Sequence, residues 1–336
     1  PGPSAAPAAA RPLLASLRPS ERFSGPFCIA NAQLGRTKND KPYLRCLLGD
    51  KSAQLPARKW TIDEDFFATL PTDGFVYAEG ETQAYQGELQ LIIHDIYPID
   101  PNPEDLRDLL PCSRRDPREM FEELTALLAE HVRHPMMRAL VDAYLADEHL
   151  MEAFRQAPAA KQMHHAYLGG LLEHTLTLCQ LAARVCPLYP RVNAELVLIG
   201  LFLHDLGKTR ELRFDQGFAY TDRGELIGHI VDGAIMLHDK AQQVVAKTGQ
   251  RFPDHSITCL QHIILSHHGE PEFGAARRPA TPEALLVSML DNLDAKTTMA
   301  LDAARPHTPK PADLNGHFTE KNWGLATKLF RPDPLG

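Results

Sequence analysis

From Phe23 to Asp100, hydrophobic and polar positions alternate in short runs broken by Gly, Asn and Asp. FCIANAQL, KPYLRCLLGD, ARKW and GFVYAEGETQAYQGELQLIIHDI therefore read as strands, each with one apolar and one polar side. Five short strands in about 80 residues make a small barrel, and TIDEDFFATL leaves room for one helical turn. After the Pro-rich stretch PIDPNPEDLRDLLPCSRRDP the period changes to 3.6. MFEELTALLAEHV, HPMMRALVDAYLAD, LGGLLEHTLTLCQLAARV, NAELVLIGLFLHDLG, GELIGHIVDGAIMLHDKAQQVV, SITCLQHIILSHHG and TPEALLVSMLDNLDAKTTMA are expected to be helices. Asn193 and Thr281 are expected N-caps, and Gly207 and Gly269 expected stops. There is no βαβ alternation and no repeat, so the fold class is multidomain α+β, a barrel followed by an all-α bundle. The Pro-rich stretch after Ala304 is expected to wrap the surface.

Composition narrows this picture. A 336-residue chain with 44% hydrophobic and 23% charged residues suits a soluble protein of about two domains. Its six cysteines form no CxxC pair, which argues against a disulfide framework or thiolate zinc site and suits a reducing cytoplasm. No apolar run approaches the roughly 20 residues of a membrane helix. Residues 1–21 are Pro/Ala-rich without an apolar h-region, and read as a disordered tail rather than a signal peptide. A net charge of −8 gives no global attraction to nucleic acid. Between Arg36 and Lys59, however, seven cations face two anions, and Tyr43, Trp60 and Tyr85 lie on or beside the same strands. A barrel of the OB type carrying Tyr43, Arg45, Lys59, Trp60 and Tyr85 outward would stack bases and track phosphates. Core aromatics and a solvated charged face are the alternative, and both stay open at this point.

The 16 histidines are the unusual feature. A single helical histidine has an ordinary structural reading, which is given to His94, His131, His134, His149, His238, His255 and His262. The order His174, His204-Asp205, Asp291 on separate apolar helices is a different matter, with His229 and the pair His267-His268 between the last two. Imidazoles and carboxylates without thiolates suit Mn²⁺, Fe²⁺, Mg²⁺ or Zn²⁺, with Co²⁺ also compatible. Asp205 is the residue best able to bridge two ions, since a carboxylate offers two oxygens. Lys208, one turn from His204, is placed to neutralise a phosphate oxygen, or else to serve as a cation at a helix C-terminus. Gly169 and Gly170, inside an expected helix, would each cost about 1 kcal/mol against Ala, and a close approach by substrate or another helix would explain them.

The His…His-Asp…Asp order resembles the HD-domain metal-dependent phosphohydrolases. With MHHAYLGGLLEHTL, HDLGK, GHI, SHHG, DNLDAK, LLPCSRRDPREM and FTEKNWGL, the chain from about 23 to 332 resembles the bacterial YhaM family of 3′→5′ exoribonucleases, in which an OB domain precedes an HD domain. The resemblance implies an OB domain over 22–100, a linker with a helix start over 101–125, an HD domain over 126–312 and an extension over 313–336. It also implies His174, His204, Asp205 and Asp291 as ligands of one ion, with His229 and His267 (or His268) serving a second. His165, rather than His164, is implied as a donor to a leaving-group oxygen. The implied reaction releases nucleoside 5′-monophosphates from single-stranded RNA and extends to single-stranded DNA. Three rivals are a phosphohydrolase of free or cyclic nucleotides, a non-catalytic single-strand-binding protein and a tRNA-processing enzyme. The sequence leaves a homo-oligomer open.

Overall fold

Alternation in the first hundred residues resolves into strands β1 (Arg22–Arg36), β2 (Pro42–Gly49), β3 (Gln54–Lys59), β4 (Gly74–Tyr85) and β5 (Glu88–Pro98), with the four-residue helix α1 (Glu64–Phe67) after β3. The structure is a computed structural model that describes residues 13–37, 39–85, 88–101, 106–110, 112–160, 167–213, 219–305, 317–319, 321–322 and 324–335. The strands close in the order β1-β2-β3-β5-β4, with β1 returning to β4. All pairings are antiparallel except the parallel contact of β3 with β5 at Ala57↔Leu91 and Arg58↔Ile92. This is the OB arrangement. Alternate residues such as Phe27, Ile29, Leu44, Leu48, Val76, Leu91 and Ile96 fill the interior, as the pleat requires.

The barrel begins earlier than its composition suggested. Leu14 and Leu17, within the stretch read as a disordered tail, are buried in the barrel core. The Leu14 amide donates to the buried Asp50 carboxylate at 2.8 Å. Burying each leucine contributes about 1.5–3 kcal/mol, and hydrogen bonds from this stretch to Asp50 and Thr82 add to that anchoring. Residues 13–21 are thus part of the domain, and residues 1–12 lie outside the described residues.

One compact unit holds the barrel through Cys112, with the short helix α2 (Leu106–Leu109), and a second begins at Ser113. The helices of the second unit are α3 (Pro117–His131), α4 (Pro135–Leu145), α5 (Glu148–Gln156), α6 (Gly170–Val185), α7 (Ala194–Leu203), α8 (Lys208–Glu211), α9 (Asp222–Thr248), α10 (Ser256–Ser266) and α11 (Pro282–Ala304). The helical unit therefore starts before residue 126: Asp116 caps α3 and Pro117 opens it, a combination suited to a helix start. The described residues of 313–336 also group with this unit, through antiparallel bridges Phe318↔Phe330 and Asn322↔Thr327. Asn193 and Thr281 cap α7 and α11 by accepting from the Leu196 and Ala284 amides. Helix α7 is apolar on every side and buried on every side, from Val197 to Leu203, with α6, α10 and α11 packed around it.

Three local readings change. Gly169 and Gly170 do not lie in a helix interior: Gly169 has φ 79 and precedes α6, and Gly170 is the first residue of that helix. Gly207 is not a left-handed helix stop but sits at φ −58, ψ −24 in the turn between α7 and α8. Helix α9 is not continuous, because Gly228 (φ 74, ψ 158) kinks it. Helix α5, which had no place among the expected segments, forms on an Asp147 cap and buries Leu150, Met151 and Phe154. Among the described residues no helix is long and apolar enough to cross a membrane.

Candidate metal centre

The chain carries helical geometry one residue past Leu203, with the His204 amide donating to Gly200 O. His204 and Asp205 are thereby delivered at the buried end of α7, 0% and 3% exposed. Around them stand His174 from α6, His267 at the end of α10 and Asp291 from α11. His229 arrives immediately after the α9 kink. A Cβ at position 207 would lie 2.1 Å from the His229 carbonyl oxygen, so only glycine lets the α9 backbone pack directly on the turn that follows Asp205.

The imidazoles are fixed from behind. The Nδ1 atoms of His204, His267 and His268 lie 2.7 Å from the carbonyl oxygens of Leu201, Ile264 and Phe273. A carbonyl only accepts, so these Nδ1 atoms carry the proton and each Nε2 presents its lone pair. His174 Nδ1 lies 2.7 Å from Asp294 Oδ2, and His229 Nδ1 lies 2.9 Å from Glu211 Oε1. The inward atoms form two groups: His174, His204 and Asp291, and Asp205, His229, His267 and His268, each with its donors within 4.8 Å of one another. Asp205 lies between them. Its Oδ2 is 3.3 Å from His204 Nε2 and 4.0 Å from His174 Nε2, while its Oδ1 is 3.4 Å from His229 Nε2 and 3.5 Å from His267 Nε2.

This donor set fits divalent cations. Among the described residues, the buried His204 Nε2, Asp205 Oδ1, His229 Nε2 and His267 Nε2 have no hydrogen-bond partner, and unsatisfied buried polar atoms are strongly disfavoured unless something binds them. Burial opposes ionisation of Asp205, yet Lys208 and His204 hold it well below the usual carboxylate range. Asp291 is lowered in the same way, against burial, by the hydrogen bond from His174. Burial likewise disfavours a charged His174, but Asp291 and Asp294 raise it to about 9, so these carboxylates call for positive charge. Burial lowers His267, and with the neighbouring His267 it takes His268 down to about 4, leaving these imidazoles neutral and able to ligate. Lys208 Nζ lies 2.7 Å from Asp205 Oδ2 at the start of α8, beside the group rather than at the end of a helix.

Of the barrel candidates, the structure gathers Tyr43, Trp60 and Tyr85 around Arg58, which the sequence reading counted among the seven cations but did not single out. Its guanidinium lies 5.5 Å from the Trp60 ring and 5.8 Å from the Tyr85 ring, and Tyr43 lies 5.6 Å from Trp60. Arg45 is the cross-strand partner of Arg58 and shares its face. Trp60 and Tyr85 are 45% and 50% exposed, so the aromatics are not core. Lys59 has the opposite parity on β3: it faces away from Arg58 and Trp60 and donates to His94 O.

Residues 171–296 match the HD domain family. The chain is 32% identical to a 3′-5′ exoribonuclease YhaM of Shouchella clausii over 93% of this chain and 94% of that protein. It is 33% identical to the Listeria welshimeri YhaM over 90% of this chain and 92% of that protein. The chain belongs to the YhaM family. The Bacillus subtilis YhaM is 30% identical across 90% of this chain and 92% of its own length.

Within this YhaM-family chain, His174, His204, Asp205, His229, His267, His268 and Asp291 all converge with Lys208, whereas His165 lies outside the described residues. Sequence reasoning missed Asp294 and Glu211. Asp294 carried a weak signal, three residues after Asp291 and so on a neighbouring face of the same helix. Glu211 carried none, since its partner lies on another helix.

Proposed function

We propose that this chain is a metal-dependent 3′→5′ exoribonuclease that releases nucleoside 5′-monophosphates from single-stranded RNA and also accepts single-stranded DNA. The observation that carries this reading is the placement of Asp205, whose two oxygens face two separate groups of inward imidazoles. His174, His204 and Asp291 would hold one ion with Asp205, and His229, His267 and His268 the other; the N/O donor set is compatible with Mn²⁺, Fe²⁺, Zn²⁺, Co²⁺ or Mg²⁺, and Mn²⁺ is the ion we take for the test. Ions held there would supply Lewis acidity for an in-line displacement at phosphorus and would make water acidic enough to react near neutral pH. Lys208 adds a fixed ammonium beside the shared carboxylate, where a phosphate oxygen is neutralised as a point charge. His165 keeps the role of donor to the leaving oxygen. Trp60, Tyr85 and Tyr43 stack bases while Arg45 and Arg58 follow the phosphates. The six free cysteines suit a reducing cytoplasm.

The test is to incubate purified protein and Mn²⁺ with single-stranded RNA labelled at either end. The expected result is a shortening ladder from 5′-labelled RNA and immediate labelled mononucleotide from 3′-labelled RNA. The reverse pattern overturns the polarity, and turnover of mononucleotides alone overturns the nuclease reading.

A further inference from the structure

Two carboxylates stand behind the centre rather than in it. Each group of inward-facing donors contains one imidazole backed by a carboxylate: His174 by Asp294 and His229 by Glu211. The other three imidazoles are backed by peptide carbonyls. We propose that Asp294 and Glu211 are positioning residues, one for each of two ions, so that losing either weakens one ion and spares the other. This rests on the two-ion reading given above.

A carboxylate behind a ligating imidazole fixes the tautomer, orients the ring and raises the basicity of the far nitrogen; removing it typically weakens metal binding about 10–100-fold. A carbonyl orients the ring but adds no charge. Glu211 does more than back the ring. The same Oε1 that meets His229 Nδ1 also accepts the His229 amide at 3.0 Å, the first amide after the Gly228 kink. One oxygen thus caps the second half of α9 and aims the side chain that begins it. Its backbone carbonyl accepts from the Thr221 amide at 2.9 Å, which anchors the start of α9 to the end of α8. Asp294 lies one turn from Asp291, so α11 supplies both an inward donor and the support for the imidazole beside it. His174 Nε2 lies 3.2 Å from Asp291 Oδ1 while its Nδ1 meets Asp294.

The experiment titrates Mn²⁺ into the chelator-stripped full-length protein, follows free Mn²⁺ by electron paramagnetic resonance and counts bound metal by mass spectrometry. Wild type is expected to take up two ions in separable steps. Glu211→Ala should weaken one step about 10–100-fold and Asp294→Ala the other, with both steps weakened in the double variant. Glu211→Gln keeps an oxygen for both N–H groups but removes the charge. It should weaken the same step by a smaller factor while the metal-free protein melts as wild type does. Two wild-type steps that neither variant moves, or that both variants move alike, overturn the positioning roles. A wild-type chain that takes up fewer than two ions overturns the two-ion reading itself.

Discussion

The metal centre and the aromatic strip of the barrel use opposite physics. In the centre, His204 and His267 are essentially inaccessible, and every imidazole has its Nδ1 assigned to an acceptor. On the strip, Trp60 and Tyr85 remain about half exposed and meet Arg58 only at ring-stacking distances. Buried polar groups that depend on one another act as a unit, so removing one leaves the rest unsatisfied. Exposed stacking groups each add their own increment. Loss of the carboxylate that both donor groups share should therefore disable the whole centre at once, whereas the strip should fail by degrees.

The sharpest break is Asp205→Ala. Both groups share this carboxylate, so turnover should fall by more than the 10²–10⁴-fold of a single acid–base contribution, on long RNA and small phosphodiesters alike. RNA retention measured in chelator should stay unchanged. Near-normal turnover with metal content confirmed would remove Asp205 from the centre. Gly207→Ala comes next. The new Cβ would meet the His229 carbonyl at 2.1 Å, forcing α9 away from the turn. A shift of about 1 Å at reacting groups costs on the order of 10²-fold. Turnover should fall by that order, with His229 the displaced ligand, while affinity for long RNA holds. Unchanged turnover would mean that the turn can yield without moving His229.

The same contrast explains what could be read from the sequence. His204 and Asp205 stand out because a charged pair ends an otherwise unbroken apolar run, and a buried charge needs a partner. The barrel stands out because its inward positions alternate. Glu211 and Asp294 do not, because their meaning depends on which helix packs behind them. Gly207 as a stop and Gly207 as a point of close approach look alike until α9 is in place. Leu14 and Leu17 were hidden by a Pro/Ala-rich neighbourhood, because the Asp50 and Thr82 partners that help hold their segment lie far along the chain. Lys59 and Arg58 differ only in parity, and parity needs the strand bounds.

On the strip, effects should be smaller and separable. Trp60→Ala and Tyr85→Ala each remove one stacking surface worth about 1–3 kcal/mol, or roughly a 5- to 150-fold loss of affinity for single-stranded RNA. Turnover of a dinucleotide should be unaffected, and the double variant should lose about the sum of the two free energies. Binding titrations with catalysis blocked by chelator measure this directly. A loss in the double variant no larger than in either single one would mean that the two rings serve one base.

The finest comparison is between adjacent cations. Arg58 lies on the aromatic face and Lys59 on the other, with its ammonium held by His94 O. Each phosphate neutralised on a single strand adds about 0.7 to the steepness of log K against log salt. Arg58→Ala should flatten that dependence by about this amount, together with some loss of affinity from its lost packing on Trp60. Lys59→Ala should leave the slope near its original value, its effect falling instead on the stability of the barrel. Binding measured from low to moderate salt for both variants decides the matter. If Lys59→Ala flattens the slope as much as Arg58→Ala, the RNA path runs around the end of β3 rather than along the aromatic face alone, and the strip must be redrawn to include Lys59.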